Sequence, residues 1–135
     1  MVTECVLDTD VVIAALDRGD AHHRAAARAV TEMIDGGTRL LLSPINYAEA
    51  LVRPAASADA LRTAVDAIKA FGVELVPPTA AVSQSAAGLR HTGISLADSF
   101  AVATALSRRA SLASFDRAVR RSAKAAGAEL TPPMR

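Results

Sequence analysis

Short apolar runs alternate with alanine-rich, helix-forming stretches from one end of this sequence to the other. The runs at residues 4–7 (ECVL), 40–42 (LLL), 73–76 (VELV) and 111–114 (SLAS) read as four strands, with a fifth at residues 129–131. Between them, helices are expected over residues 11–16, 20–35, 44–53, 57–71, 79–91, 95–109 and 116–126. Asp10 is the expected N-cap of the first, and Ser43-Pro44 supplies a cap and a first-turn proline to the third. Gly36-Gly37, Pro54, Gly72, Pro77-Pro78, Gly93 and Gly127 mark the stops. Strands alternating with helices throughout imply a parallel sheet covered on both faces. The expected fold class is therefore α/β: a parallel sheet of about four to five strands, flanked by helices on both faces, in one domain over residues 1–135. In such sheets ligands gather at the carboxyl ends of the strands, so acids at strand ends are the first residues to consider.

Composition narrows the class. Hydrophobic residues make up 51% of 135, which is enough to fold and excludes intrinsic disorder. Charges interrupt every apolar stretch, so no membrane span is expected, and the first residues lack the basic segment of a signal peptide. A lone cysteine, Cys5, excludes a disulfide framework and a cysteine-based zinc site; it is expected to pack as a small hydrophobe. These features suit a cytoplasmic globule. The net charge of +1 conceals an asymmetry, because residues 107–135 hold seven bases and only two acids. Such a basic end suits a polyanion, an acidic partner or plain solvent. With three Phe, one Tyr and no Trp, rows of aromatic stacking platforms are not expected.

Four acids stand alone in apolar surroundings. Asp8 ends the first strand, Asp116 follows the fourth, Glu49 is the only charge from Leu40 to Val52, and Asp98 is the only charge from Ser95 to Ser107. Burying such a carboxylate is costly unless it is paired or binds a cation. The two lysines, Lys69 and Lys124, fall outside these segments. A divalent cation would relieve the repulsion, and hard oxygen ligands suit Mg²⁺ or Mn²⁺. Each acid also has a plainer use. Ser95 and Asp98 match a capping box, Asp10 and Asp116 match helix caps, and Glu49 matches an i,i+4 pair with Arg53.

The segments VLDTDVVIAAL, SPINYAEAL, ISLADSFAVATAL and LASFDRAV, in this order and spacing, resemble the four motifs of PIN-domain nucleases. More narrowly, they resemble the VapC toxins of type II toxin–antitoxin pairs. The resemblance spans nearly the whole chain and implies a PIN-like fold with Mg²⁺- or Mn²⁺-dependent cleavage of RNA. It also implies a homodimer and a cognate VapB-like antitoxin. Residue by residue, it makes Asp8 and Asp98 the main metal ligands, with Asp116 completing the site directly or through water. Glu49 becomes the acid that holds or deprotonates the attacking water. Thr9, Asp10 and Ser114 fall where the family places supporting polar residues.

Two other classes compete. Asp8-Thr9-Asp10 matches the first motif of HAD-type aspartyl-phosphate phosphatases, with Asp8 as nucleophile, Asp10 as acid/base and Ser43 as second motif. That pattern lacks a suitably placed lysine and leaves Glu49 and Asp98 unexplained. A PIN-like scaffold that only binds a partner would be expected to have lost an acid, and all four are present. His22, His23 and His91 are expected at the surface, and Phe71, Phe100 and Phe115 in the core.

Overall fold

The computed structural model describes residues 3–135, which form five parallel strands, seven α-helices and two short 3-10 helices. The strands are β1 (Glu4–Leu7), β2 (Arg39–Leu42), β3 (Glu74–Leu75), β4 (Ser111–Ala113) and β5 (Glu129–Leu130), in the spatial order β3-β2-β1-β4-β5. β1 lies at the centre, with Val6 opposite Leu41 on one side and Leu112 on the other. The chain therefore reverses direction across the sheet between β1 and β4, which opens a crevice at their carboxyl ends.

Successive strand residues face opposite layers. Cys5, Leu7, Leu40, Leu42 and Ala113 point into one core, beneath α1 (Thr9–Leu16), α2 (His23–Asp35), α3 (Pro44–Leu51) and α4 (Ala58–Ala70). Val6, Leu41 and Leu112 point into the other, beneath α6 (Leu96–Arg108) and α7 (Arg117–Ala125). A third helix, α5 (Ala80–Leu89), packs on α6 through Val82, Ala86 and Ala103. Both faces of the central strands are thus apolar, which is why LLL and ECVL read as unbroken runs. Cys5 is fully buried among them.

Several boundaries move from the sequence expectation. α1 begins at Thr9, so its N-cap is Asp8 and Asp10 sits in its first turn. The chain passes from strand to helix with no intervening loop, and the last strand residue's neighbour becomes the cap. α2 starts at His23 because residues 20–22 form a turn in which the His22 N–H donates to Asp20 Oδ1 at 2.8 Å. β3 shrinks to two residues at the sheet edge, where Pro77-Pro78 cannot extend the hydrogen-bond ladder. Phe71, Phe100 and Phe115 are half-buried at the core margins rather than inside it. Ala, Val and Leu fill the interior, and their small volumes let the helices lie close to the sheet. His23 is half-buried, its Nδ1 2.7 Å from the Ala14 carbonyl oxygen.

The two edges of the sheet differ in charge. At the amino ends of the strands Glu4 pairs with Arg39 at 3.2 Å and with Arg108 at 2.8 Å, and Arg39 also pairs with Glu74. The carboxyl ends carry acids instead. No helix among the described residues is long and apolar enough to cross a membrane.

Candidate active site

Asp8 is 1% exposed at the carboxyl end of β1, and its backbone N–H donates to the Ala113 carbonyl of β4. Its Oδ1 accepts the Thr9 N–H at 2.9 Å and its Oδ2 accepts the Ser114 hydroxyl at 2.8 Å. The Ser114 Oγ in turn accepts the Asp116 N–H at 3.1 Å. Asp10 Oδ2 accepts the Phe115 N–H at 3.0 Å, while Asp10 Oδ1 is buried and accepts no hydrogen bond from the protein. Arg120 holds this loop from behind: it donates to the carbonyls of Ser114, at 3.3 Å, and Thr131, at 2.9 Å.

Asp98 arrives from α6. Ser95 Oγ accepts its N–H at 3.1 Å, which sets the residue in the first helical turn, half-buried and on the site side. Asp116 is exposed and caps α7, its Oδ1 accepting the N–H groups of Ala118 and Val119 at 2.8 and 3.1 Å. The capping uses expected of Ser95 and Asp116 are therefore realised, and that of Asp10 is not. Capping occupies one Asp116 oxygen and leaves the other available.

These acids feel one another. Burial pushes the Asp8 carboxyl up to about 8, and the negative charges of Asp10 and Asp98 add to the rise. Asp10 is raised too, chiefly by burial, with Asp98 and Asp116 contributing against the N–H groups that favour its charge. Among the described residues no Lys or Arg forms an ion pair with any of the four. Their donor set is all hard oxygen, and the cluster lacks a positive counterpart, which suits Mg²⁺ or Mn²⁺. No three Asp, Glu, His or Cys side chains among the described residues converge into a ready-made cage. Mg²⁺ keeps several waters and needs only one or two direct carboxylates, so a looser cluster still fits it.

Glu49 stands apart. It is exposed on α3 and lines a cleft with Ile13, Asp17, Ala50, Arg53 and Pro54. It does not figure among the charges that raise Asp8 or Asp10. Its tie to the cluster runs through Asn46, one helical turn earlier. Asn46 is fully buried and donates to Thr9 Oγ1 and to the Ala97 carbonyl, both at 3.0 Å, fastening α3 to α1 and to the residue before Asp98. Its Oδ1 accepts nothing among the described residues. Asn46 escapes notice in the sequence because one uncharged polar residue in a helix looks like surface. Ser43 is likewise buried and is engaged as the α3 cap, accepting the Ile45 N–H at 3.2 Å, and both lysines lie in the last turns of α4 and α7. The phosphatase pattern gains nothing from either.

A family model for the PIN domain matches residues 5–125. Among curated proteins none matches the chain by sequence. Among solved structures, VapBC2 from Rickettsia felis, bound to a DNA fragment from its promoter, superposes with a TM-score of 0.76 at 14% identity, covering 96% of this chain and 98% of that one. VapBC-1 from nontypeable Haemophilus influenzae gives 0.72 at 17% identity, over 96% and 97% of the two chains. VapC20 from Mycobacterium tuberculosis, a Sarcin-Ricin loop cleaving toxin, gives 0.69 at 18% identity, over 92% and 95%. Likeness at these identities establishes a shared fold.

Proposed function

This chain belongs to the PIN-domain family, and from that premise we propose that it is a metal-dependent ribonuclease, the toxin of a VapBC-type pair. The observation that carries the proposal is the gathering of Asp8, Asp10, Asp98 and Asp116 at the carboxyl end of the sheet, where burial and the neighbouring acids raise the cost of ionising Asp8 and Asp10 and no Lys or Arg among the described residues forms an ion pair with any of the four. A bound cation would offset the cost of gathering these acids.

In this proposal Asp8 and Asp98 hold Mg²⁺ or Mn²⁺, with Asp116 completing the site directly or through water. Bound there, the ion would neutralise charge developing on a phosphodiester and favour ionisation of water. Thr9 and Ser114 fix the two Asp8 oxygens, and Ser114 joins Asp8 to the Asp116 backbone. Asp10 anchors the loop after β4 through the Phe115 N–H. Glu49, exposed on α3 and apart from the aspartates in this structure, is assigned by the family resemblance to orient the attacking water and accept its proton. Water then attacks phosphorus in line, and the ribose oxygen of the broken ester leaves with a proton from solvent. No covalent intermediate is required.

The partners proposed are RNA, a VapB-like antitoxin and a second copy of the chain, in the cytoplasm. Antitoxin pairing is supported by the neighbours, which are VapBC assemblies. The test is cleavage of total cellular RNA by purified protein with Mg²⁺ or Mn²⁺, with EDTA, and with an Asp98→Asn variant. Discrete fragments are expected, absent with EDTA and in the variant. Cleavage that survives in a clean Asp98→Asn preparation removes the role assigned to that acid. Release of phosphate from p-nitrophenyl phosphate without RNA cleavage would favour the phosphatase instead.

A further inference from the structure

His22 and Phe115 stack face to face, with ring centroids 4.3 Å apart and planes 14° from parallel. The rings come from distant parts of the chain. His22 belongs to the turn between α1 and α2, and Phe115 to the loop between β4 and α7. That loop is the one that builds the acidic cluster: Ser114 holds Asp8, the Phe115 N–H is bound by Asp10, and Asp116 follows. The Phe115 ring leans on the core, while His22 is exposed. The turn that carries the imidazole is held by its backbone: the His22 main-chain N–H donates to Asp20 Oδ1, and the ring of the next residue, His23, contacts the Ala14 carbonyl oxygen.

An exposed flat ring, backed by a second ring that leans on the core and carried on a hydrogen-bonded turn, is the kind of surface on which unpaired nucleobases stack. Exposed cations follow both rings in sequence. Arg24 lies two residues beyond His22 and Arg117 two beyond Phe115; both are exposed, and neither forms an ion pair among the described residues. The geometry points to His22, backed by Phe115, as the stacking platform for an unpaired base of the RNA, beside the phosphate presented to the acidic cluster. This rests on the ribonuclease proposal and adds to it: the substrate has a splayed base at one position flanking the cut, and His22 binds that base. An aromatic side chain of a partner protein is the other possible occupant. The base is favoured because Phe115, the ring that backs His22, sits between Ser114 and Asp116 in the loop that builds the acidic cluster, which ties the platform to the acids.

The experiment compares wild type with His22→Ala, His22→Tyr and His22→Leu. The first readout is KM and kcat for Mn²⁺-dependent cleavage of the fragment found in total RNA, with sequencing of the cut ends. His22→Ala is expected to raise KM about tenfold, leave kcat within about threefold, and flatten base preference at one flanking position. His22→Tyr, which keeps a ring, is expected to restore both, and His22→Leu neither. The second readout needs no cleavage. In an Asp98→Asn background with Mn²⁺, single-stranded decamers bearing 2-aminopurine are compared with abasic decamers. His22→Ala is expected to weaken the base-bearing RNA about tenfold and leave the abasic RNA unchanged.

The platform is overturned if His22→Ala keeps wild-type KM and flanking preference, if it keeps the affinity ratio of base-bearing to abasic RNA, or if Leu rescues as well as Tyr. Loss of antitoxin affinity with unchanged RNA binding would also overturn it and assign the ring to a protein partner. Should wild type cleave no RNA, the ribonuclease proposal falls by itself, and the decamer ratio still decides the platform.

Discussion

Replacing Asp8 by Asn removes a charge from the cluster while keeping its shape. Burial and the neighbouring acids lift the Asp8 carboxyl from 3.8 to about 8. At about 1.4 kcal/mol for each tenfold change, ionising it in the folded protein costs on the order of 6 kcal/mol more than in the unfolded chain. The folded state therefore holds a proton that the unfolded state has lost between pH 4 and 8. Stability is highest below the unfolded value and falls as pH rises through that window. Asn escapes this cost, and the local hydrogen bonds can be rewired to accept it. The new amide oxygen takes the Thr9 N–H, as a good N-cap does, and the new NH₂ donates to Ser114 Oγ. The Ser114 hydroxyl is then free to turn towards Asp10 Oδ2, 3.5 Å away. Allowing for relaxation, Asp8→Asn is expected to stabilise the metal-free protein by about 2–4 kcal/mol at pH 8.5, and by less than about 1 kcal/mol at pH 4. Urea unfolding in EDTA, followed by circular dichroism across that range, measures the difference. Adding Mn²⁺ should stabilise wild type and leave the variant almost unmoved. A variant less stable than wild type at pH 8.5, or an advantage that does not change with pH, would refute the electrostatic account of the site.

Two further changes probe the surroundings. Asn46→Ala leaves Thr9 Oγ1 and the Ala97 carbonyl without their donor and opens a small void, so a loss of about 2–3 kcal/mol in urea unfolding is expected, and a near-neutral result would show that α3 is held by other contacts. Glu49→Gln keeps size and removes the base: kcat should fall by about 10²-fold or more while Mn²⁺ still raises the melting temperature as in wild type, and an unchanged kcat would strip Glu49 of its assigned part.

The layered α/β architecture was legible because its causes are local. LLL and ECVL are apolar at every position, as strands covered on both faces must be, and Ser43, Ser57, Thr79 and Ser95 each cap the helix expected after them. The isolated acids were legible for a similar reason, since charge in an apolar segment stands out in one dimension. What the chain does over long separations was not. The order β3-β2-β1-β4-β5 follows from which strands pair, and pairing leaves little trace in any one strand. The start of α1 depended on Asp8 being pinned to β4 through Ala113 and Ser114, more than a hundred residues away, so Asp8 and not Asp10 became the cap. Asn46 looked like an ordinary helical polar residue until Thr9 and Ala97 closed around it. The ring-to-ring contact of His22 with Phe115 joins a turn and a loop far apart in the chain, and composition carries no trace of it. Residue chemistry and its period along the chain thus determined the elements and nominated the acids. Only tertiary structure decided which of them meet, because burial, shared hydrogen bonds and mutual repulsion exist only between groups that folding has brought together.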